Sequence, residues 1–437
     1  MLSASEETAR PLDTLLGGFF RDHRELSDAD RQAVASLVHR VLRRRAQLDW
    51  WIERARDADI ALADEPIDWP DRVLASLVLE AGLELPAIAS AFGLALDLDA
   101  AEDADGALPE YALMLARKLA RQTIDHVEQP LAVRANLPAW LEAQLRARLG
   151  DAADGEFNCL LEEAPVDVRV NTLLTTRVAL AEALRARGIA CQETPHSPLG
   201  LRLNGRPALG RLEVFEKGWF EVQDEGSQLA ALLVGVSRGQ RVCDLCAGAG
   251  GKTLALAALM ENRGSIIACD TSERRLKETT RRQRRANVHN VQCVPLATER
   301  DPYLRRHKRA FDRVLVDAPC TGTGTLRRNP DRRFNLLPED IVDLAGRQSA
   351  LLDLAAPLVK PGGRLVYSTC SLLREENEAQ VDRFLNAQAA EFTLVPFGET
   401  WRAVGCTSAP PTTEACLQLQ SARDGTDGFF VAIFARK

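Results

Sequence analysis

The chain has 437 residues, 46% hydrophobic and 27% charged, a globular composition too long for one core of roughly 100 to 200 residues, so two or three domains are expected. A formal net charge of −7 excludes a uniformly basic nucleic-acid binder, although acids gather near 56–65 and 97–110 while arginines bunch elsewhere. The first twenty residues lack a basic stretch followed by a long apolar block, and no later window offers about 18 uncharged apolar residues, so a soluble, cytoplasmic protein is expected.

In chain order, SDADRQAVASLVHRVLRRRAQLDWWI opens with a capping-type Ser27 and Asp30 pair and places Val34, Leu37, Val38, Val41, Leu42 and Leu48 on one helical face. Arg31, Arg40, Arg43 and Arg44 fall mostly off that stripe, as a solvated basic face would. Further Ala and Leu runs at helical spacing, with few strand signals, predict an all-helical domain over 1–135. From about 136 to 225 the texture changes: a helix in PAWLEAQLRARLG, strand-like VDVRVNTLL, a helix in TTRVALAEALRARG, a Gly and Pro-rich stretch around 196–210, then RLEVFEKGWFEVQ. That order predicts a small α+β module.

Residues 226–437 alternate strands (RVCDL, SIIACD, NVQCVPL, RVLVDAP, RLVYSTC) with helices starting near Thr253, Ser272, Pro338 and Glu375. The alternation predicts an α/β, doubly wound, mostly parallel sheet that binds ligands at the carboxyl ends of its strands.

The stretch VCDLCAGAGGKT, 242–253, admits several readings. A P-loop would need glycine where Cys246 stands, and a dinucleotide loop would need its third glycine where Thr253 stands. Cys243 and Cys246 form a CxxC with no second pair to complete a zinc site, and they lie at a strand end rather than a helix start, so no metal is expected. The ten cysteines, spread through a long chain, read as reduced thiols. What remains is a strand, a glycine loop, a helix and Asp270 about 20 residues on, suited to ribose hydroxyls. A cofactor without pyrophosphate, such as S-adenosylmethionine, would explain the missing glycine, and other nucleoside sites stay open.

Two further segments carry more information: FDRVLVDAPCTGTGTLRRNPD, 311–331, and RLVYSTCSLLREENE, 364–378. Each puts a cysteine, Cys320 or Cys370, just past a predicted central strand, where such a sheet builds its active site. A lone cysteine is usually a small buried hydrophobe. These two instead sit among Pro, Gly, Ser and Thr. The chemistry that needs them is methylation at carbon 5 of a pyrimidine: a thiolate adding to carbon 6 makes carbon 5 nucleophilic, and a base must later remove the carbon 5 proton. An acid near ring N3, such as Asp317, would assist.

DAPCTGTGTLRRNPD, YSTCSLLREENE, the glycine loop and the terminal DGFFVAIF resemble the motifs of the RsmB/NOL1/NOP2/Sun family of RNA 5-methylcytosine methyltransferases, over most of 160–437. The resemblance implies a Rossmann-like class I methyltransferase domain, with Cys370 as covalent nucleophile, Cys320 helping to release product, and Asp317 beside them. It implies S-adenosylmethionine contacts from Cys246, Ala247, Gly248, Ala249, Gly250, Gly251, Lys252, Asp270 and Asp317. Two departures stand out: Ala249 replaces the family's usual proline, and Ala297 and Thr298 occupy the place after the third strand where an aspartate commonly meets the adenine, with Glu299 next to them.

On the substrate side, VDVRVNTL is similar to a segment preceding the family's catalytic domain, and the helical region looks like the NusB-like RNA-binding domain of the bacterial ribosomal RNA members. Arg169, Asn171, Arg327 and Arg328 are the expected RNA contacts. Arg327 and Arg328, with Arg332 and Arg333, adjoin the predicted pocket, whereas Arg281, Arg282, Arg284 and Arg285 read equally well as a solvated helix face. With 5% aromatic residues, RNA shape and backbone charge are expected to outweigh base stacking, and the target base must be flipped out of any helix. The expected enzyme is a monomer acting on small-subunit ribosomal RNA. Transfer RNA, DNA cytosine methylation and a non-catalytic assembly factor with a vestigial methyltransferase fold are the alternatives.

Overall fold

A computed structural model of the protein describes residues 12–56, 66–84, 86–87, 107–298 and 301–437. Most of the two acidic stretches, and Glu299, lie outside the described residues. The chain divides into two compact units: residues up to Glu162 together with Leu326–Leu337, and Glu163–Thr325 together with Pro338–Lys437.

The first unit is helical, with α1 (Leu12–Asp22), α2 (Asp28–Arg56), α3 (Trp69–Leu79), α4 (Ala107–Leu119), α5 (Leu131–Ala135), α6 (Ala139–Leu149) and α7 (Ala153–Leu161). Ser27 and Asp30 form the expected cap of α2: the Ser27 N–H donates to the Asp30 carboxylate at 3.0 Å and the Asp30 N–H donates to Ser27 Oγ at 3.2 Å. Val38, Val41, Leu42, Leu48 and Ile52 of α2 pack with Trp69, Leu74, Leu115 and Leu119 into one core.

The arginines of α2 are not a solvated face. Arg43 is buried, Arg31 donates to the carbonyls of Leu26 and His23, Arg44 donates to Gln47 Oε1 at 2.8 Å, and Arg56 forms a buried ion pair with Asp71 at 2.6 Å that Tyr111 shares. Helices α6 and α7, read from the sequence with the α+β module, fall in this unit. So does 326–337, where the buried Arg333 donates to the Leu160 carbonyl and the Arg45 guanidinium lies 4.7 Å from the Phe334 ring centroid.

In the second unit a four-stranded antiparallel sheet, order β2-β3-β1-β4, is made of β1 (Val166–Val170), β2 (Cys191–Glu193), β3 (Gly200–Leu203) and β4 (Phe220–Val222), with α8 (Arg177–Arg185) capped by Thr176. Strands β2 and β3 arise in and beside the stretch read as Gly and Pro-rich loop. After α9 (Glu225–Leu232) comes the larger sheet: β5 (Arg241–Asp244), α10 (Gly251–Leu259), β6 (Ser265–Asp270), α11 (Glu273–Arg285), β7 (Val291–Pro295), β8 (Phe311–Asp317), α12 (Pro338–Ala355), β9 (Val359–Thr369), α13 (Glu378–Gln388), β10 (Phe392–Val395), β11 (Leu417–Gln418) and β12 (Phe430–Arg436).

Its order is β10-β12-β9-β8-β5-β6-β7, with β11 paired to β12. Strands β5 to β9 pair in parallel, and β12 enters antiparallel between β9 and β10. Alternate strand residues face opposite layers, as the pleat requires. Cys243, Leu365 and Tyr367 join α12 and α13 in one core, whereas Val242 and Val366 join α9 and α10 in the other. The order reverses between β5 and β8, so their carboxyl ends open the crevice in which such sheets bind ligands. This is a Rossmann-like, doubly wound fold.

Candidate active site

The glycine loop runs from the end of β5 into α10. Gly250, at φ +82°, is the N-cap of α10, and Gly248 also takes a positive φ of +57°. A Cβ on Gly250 would stand 2.6 Å from Thr279 Cγ2, so this turn needs glycine for both conformation and space. Asp270, at the end of β6, accepts from the N–H of Gly248 at 2.8 Å and of Ser272 at 2.7 Å. Each bonded oxygen keeps a second lone pair for a ribose hydroxyl.

Side chains claim the loop's carbonyls. Thr279 Oγ1 donates to Gly248 O at 3.0 Å, Arg282 Nη1 to Ala249 O at 2.7 Å, and Arg169 Nη2 to Gly251 O at 3.4 Å. Ala249, standing where proline is usual, is therefore held by Arg282. Beneath the loop Asp244 is 1% exposed; one oxygen accepts from Thr253 Oγ1 at 2.7 Å and the other is buried without a hydrogen-bond partner. Burial, reinforced by the Asp317 and Asp270 charges and opposed by Thr253 and Lys252, pushes its carboxyl up to about 7. A buried orphan oxygen, a glycine turn and a ribose-facing carboxylate fit a nucleoside cofactor.

On the other side of the crevice, Asp317 ends β8 and accepts from Lys252 Nζ at 2.8 Å, and that ammonium lies 5.0 Å from the centroid of the Phe429 ring. Cys320 and Cys370 leave the ends of neighbouring strands β8 and β9 and bring their sulfurs to 3.4 Å. The nearby Cys370 sulfur, burial and the Glu376 charge push the Cys320 thiol well up. Thiols on separate strands meet because their loops are tied together.

The ties are residues that sequence reasoning missed. Glu376, fully buried, accepts from Thr321 N at 2.9 Å, from Thr321 Oγ1 at 2.5 Å and from Gln348 Nε2 at 3.0 Å. Asn377 donates to Ser371 O at 2.8 Å, and Thr323 Oγ1 accepts from Leu372 N at 2.9 Å. Gly324 N donates to Cys370 O at 3.0 Å, and Gly428 N donates to Gly324 O at 2.8 Å. A Cβ on Gly324 would stand 2.0 Å from Gly428 O, so the PC loop, the TC loop and the chain before β12 meet backbone to backbone. REENE and DGFF were visible as motifs, but no spacing in one sequence says that they clamp the cysteines.

Three of the four expected RNA contacts prove internal. Arg169 is 2% exposed and donates to Gln223 Oε1 at 2.6 Å, with burial lowering its guanidinium to about 10. Asn171 is 3% exposed and donates to the carbonyls of Gly218 and Ala286 at 2.9 and 2.8 Å. Arg327 is buried with its Nη1 4.0 Å from Cys159 Sγ. Their polar atoms are spent inside the protein, and only Arg328 keeps partial exposure. Arg282 and Arg285 are likewise no solvated face: both pair with the buried Glu221, at 2.9 and 2.6 Å. After β7, Ala297 N donates to Asp301, which also accepts from Tyr303 N, so Asp301 serves as a helix cap.

Among the described residues no cluster of His, Cys, Asp and Glu could hold a metal, and no helix is long and apolar enough to cross a membrane. A family model described as 16S rRNA methyltransferase RsmB/F matches residues 231–435, and a second, for the ferredoxin-like domain of RsmF/B-like methyltransferases, matches 137–209. The chain is 32% identical over 420 residues, 93% of its own length and 91% of the relative's, to the probable ribosomal RNA small subunit methyltransferase B of Synechocystis. Among solved structures it resembles a methyltransferase homologue from Pyrococcus horikoshii at 28% identity and TM-score 0.61, over 70% of this chain and 97% of that one. It shares the fold of NSun6 from the same organism, solved with SFG, at 23% identity and TM-score 0.60, over 68% and 98% of the two chains. The chain belongs to the RsmB/F family and is an S-adenosylmethionine-dependent RNA methyltransferase.

Proposed function

We propose that the enzyme methylates carbon 5 of cytosine in small-subunit ribosomal RNA through a covalent adduct between Cys370 and carbon 6 of the base. The observation that carries this reading is the pair of sulfurs 3.4 Å apart at the carboxyl rim of β8 and β9, beside the Asp317 and Lys252 pair. A methyltransferase acting on an exocyclic nitrogen or a ribose oxygen has no need of two thiols there.

In this mechanism Cys370 adds as thiolate to carbon 6, and the displaced electrons make carbon 5 nucleophilic. Asp317, held by Lys252, lies at the N3 edge of the ring and assists the addition. S-adenosylmethionine supplies the methyl group as an electrophile, held by Cys246 to Lys252 and by Asp270. Cys320, protonated in the free enzyme, gives up that proton to solvent and as thiolate takes the carbon 5 proton; the ring electrons re-form the carbon 5 to carbon 6 double bond, and the Cys370 sulfur leaves as thiolate to free the product. Glu376 and Gly324 keep the two loops in register for both steps. Arg328, alone of the four expected contacts in being partly exposed, is assigned to an RNA phosphate, and the helical unit is the part read as NusB-like.

The test is substitution with RNA transcripts and denaturing gels. Cys370→Ala should abolish methylation and covalent capture together, whereas Cys320→Ala should accumulate an SDS-stable RNA adduct. The reverse pattern would exchange the roles, and methylation surviving both changes would remove the covalent mechanism. Bisulfite sequencing with and without the gene identifies the base: loss of protection at one ribosomal cytosine supports the substrate, and loss only in transfer RNA replaces it.

A further inference from the structure

The four-stranded sheet does more than precede the catalytic domain. Arg282 of α11 spends one nitrogen on Ala249 O and turns its Nε and Nη2 to Glu221 Oε2 on β4, at 3.1 and 2.9 Å. The other oxygen of Glu221 takes Arg285 Nη2 at 2.6 Å, and the Arg285 guanidinium is fixed 3.9 Å from the Phe215 ring centroid. Two residues beyond Glu221, Gln223 accepts from Arg169 of β1, which also reaches the Gly251 carbonyl. Two of the three loop carbonyls that meet side chains are thus reached from, or braced by, the small sheet.

The N–H groups of Gly248 and Gly250 are spent on Asp270 and on the Ala247 carbonyl, so these cations fix the shape of the turn by holding the carbonyls it leaves over. Glu221 is 4% exposed and is matched by two guanidiniums, so each arginine is aligned by a buried charge rather than left to sample rotamers. Glu221 also falls between the two segments that the family models match.

We infer that Arg282, aligned by Glu221 of the four-stranded sheet, is a positioning residue for the S-adenosylmethionine loop, so that the small sheet sets cofactor affinity. The inference rests on the glycine loop being the cofactor site. It assigns a job to an arginine that the sequence left as surface and to an acid that no motif singled out.

The experiment is calorimetric binding of S-adenosylmethionine and of S-adenosylhomocysteine to the full chain, with Asp270→Ala as the control for the site. Arg282→Ala and Glu221→Gln should each weaken binding about tenfold, the factor that one charge-assisted hydrogen bond is worth. The double variant should be little worse than either, because both act on one bridge. Arg282→Lys should recover part of the loss, and in steady-state assays KM for the cofactor should rise by more than kcat falls, with RNA affinity unmoved. Should Arg282→Ala fail to fold, Glu221→Gln carries the test, since it keeps the shape and removes only the aligning charge. Unchanged affinity in the folded variants, with Asp270→Ala losing it, would overturn the inference. Wild-type affinity in Asp270→Ala would instead overturn the placement of the cofactor.

Discussion

Replacing Asp244 by Asn should flatten part of the pH dependence of folding, because this carboxyl is pushed up to about 7 by burial in the ligand-free protein. In the unfolded chain the same group titrates near 3.9. Between those values the folded state holds the proton more tightly, so its contribution to stability is fully present below about pH 4 and is lost as pH rises through about 7. Integrating the two titrations gives a loss of roughly 2.5 kcal/mol from about pH 5 to about pH 8. Asn keeps the shape, can still accept from Thr253 and cannot ionise. The stability of Asp244→Asn minus that of the wild type, from urea unfolding at a series of pH values, should therefore grow by that amount across the interval. A difference that stays level would mean that Asp244 is ionised throughout and that its second oxygen has a partner, which would undo the case for a buried orphan beneath the cofactor loop.

Glu376→Gln swaps an acceptor oxygen for a donor against Thr321 and Gln348. The cost is about 2 kcal/mol, and single-turnover methylation should fall at least tenfold while cofactor binding holds. Normal turnover would show that the tie between the loops is dispensable. Gly324→Ala places a methyl 2.0 Å from a carbonyl that cannot yield, so thermal melting should drop by an amount matching about 3 kcal/mol or more; an unchanged melting temperature would contradict that packing. Asn171→Ala leaves the Gly218 and Ala286 carbonyls without their buried donor and should cost about 2 to 4 kcal/mol without changing RNA affinity. A fall in RNA affinity at full stability would restore the surface role expected from the sequence.

The five parallel strands β5 to β9, the glycine turn and both cysteines were legible because each is local: a run of apolar residues, a loop that excludes Cβ, a thiol just past a strand; β10 to β12 were not read as strands. The parallel, doubly wound character of the sheet followed from the alternation, but its strand order did not. Pairing across distance was not legible. Arg169 was expected to contact RNA from the likeness of VDVRVNTL to a family segment, and nothing in that segment signals the Gln223 that takes its Nε 54 residues later. Arg282 and Arg285 looked solvated because their partner, Glu221, lies on another element. The placement of 326–337 was not legible for a similar reason: it clusters with helices more than 160 residues earlier, as the contacts of Arg327 and Arg333 with Cys159 and Leu160 record.

The closure of the PC loop against Gly428 also orders events during synthesis. Gly428 follows Cys320 by 108 residues, and β12, which pairs along the strand leading into Cys370, comes later still. A nascent chain that has emerged past both thiols but not yet Gly428 therefore lacks the backbone that aligns them. Its cysteines are open to adventitious oxidation and to chaperone capture but unable to attack a base. Alignment of the pair waits on the DGFF segment, and the backbone packing that supplies it leaves both cysteines partly exposed.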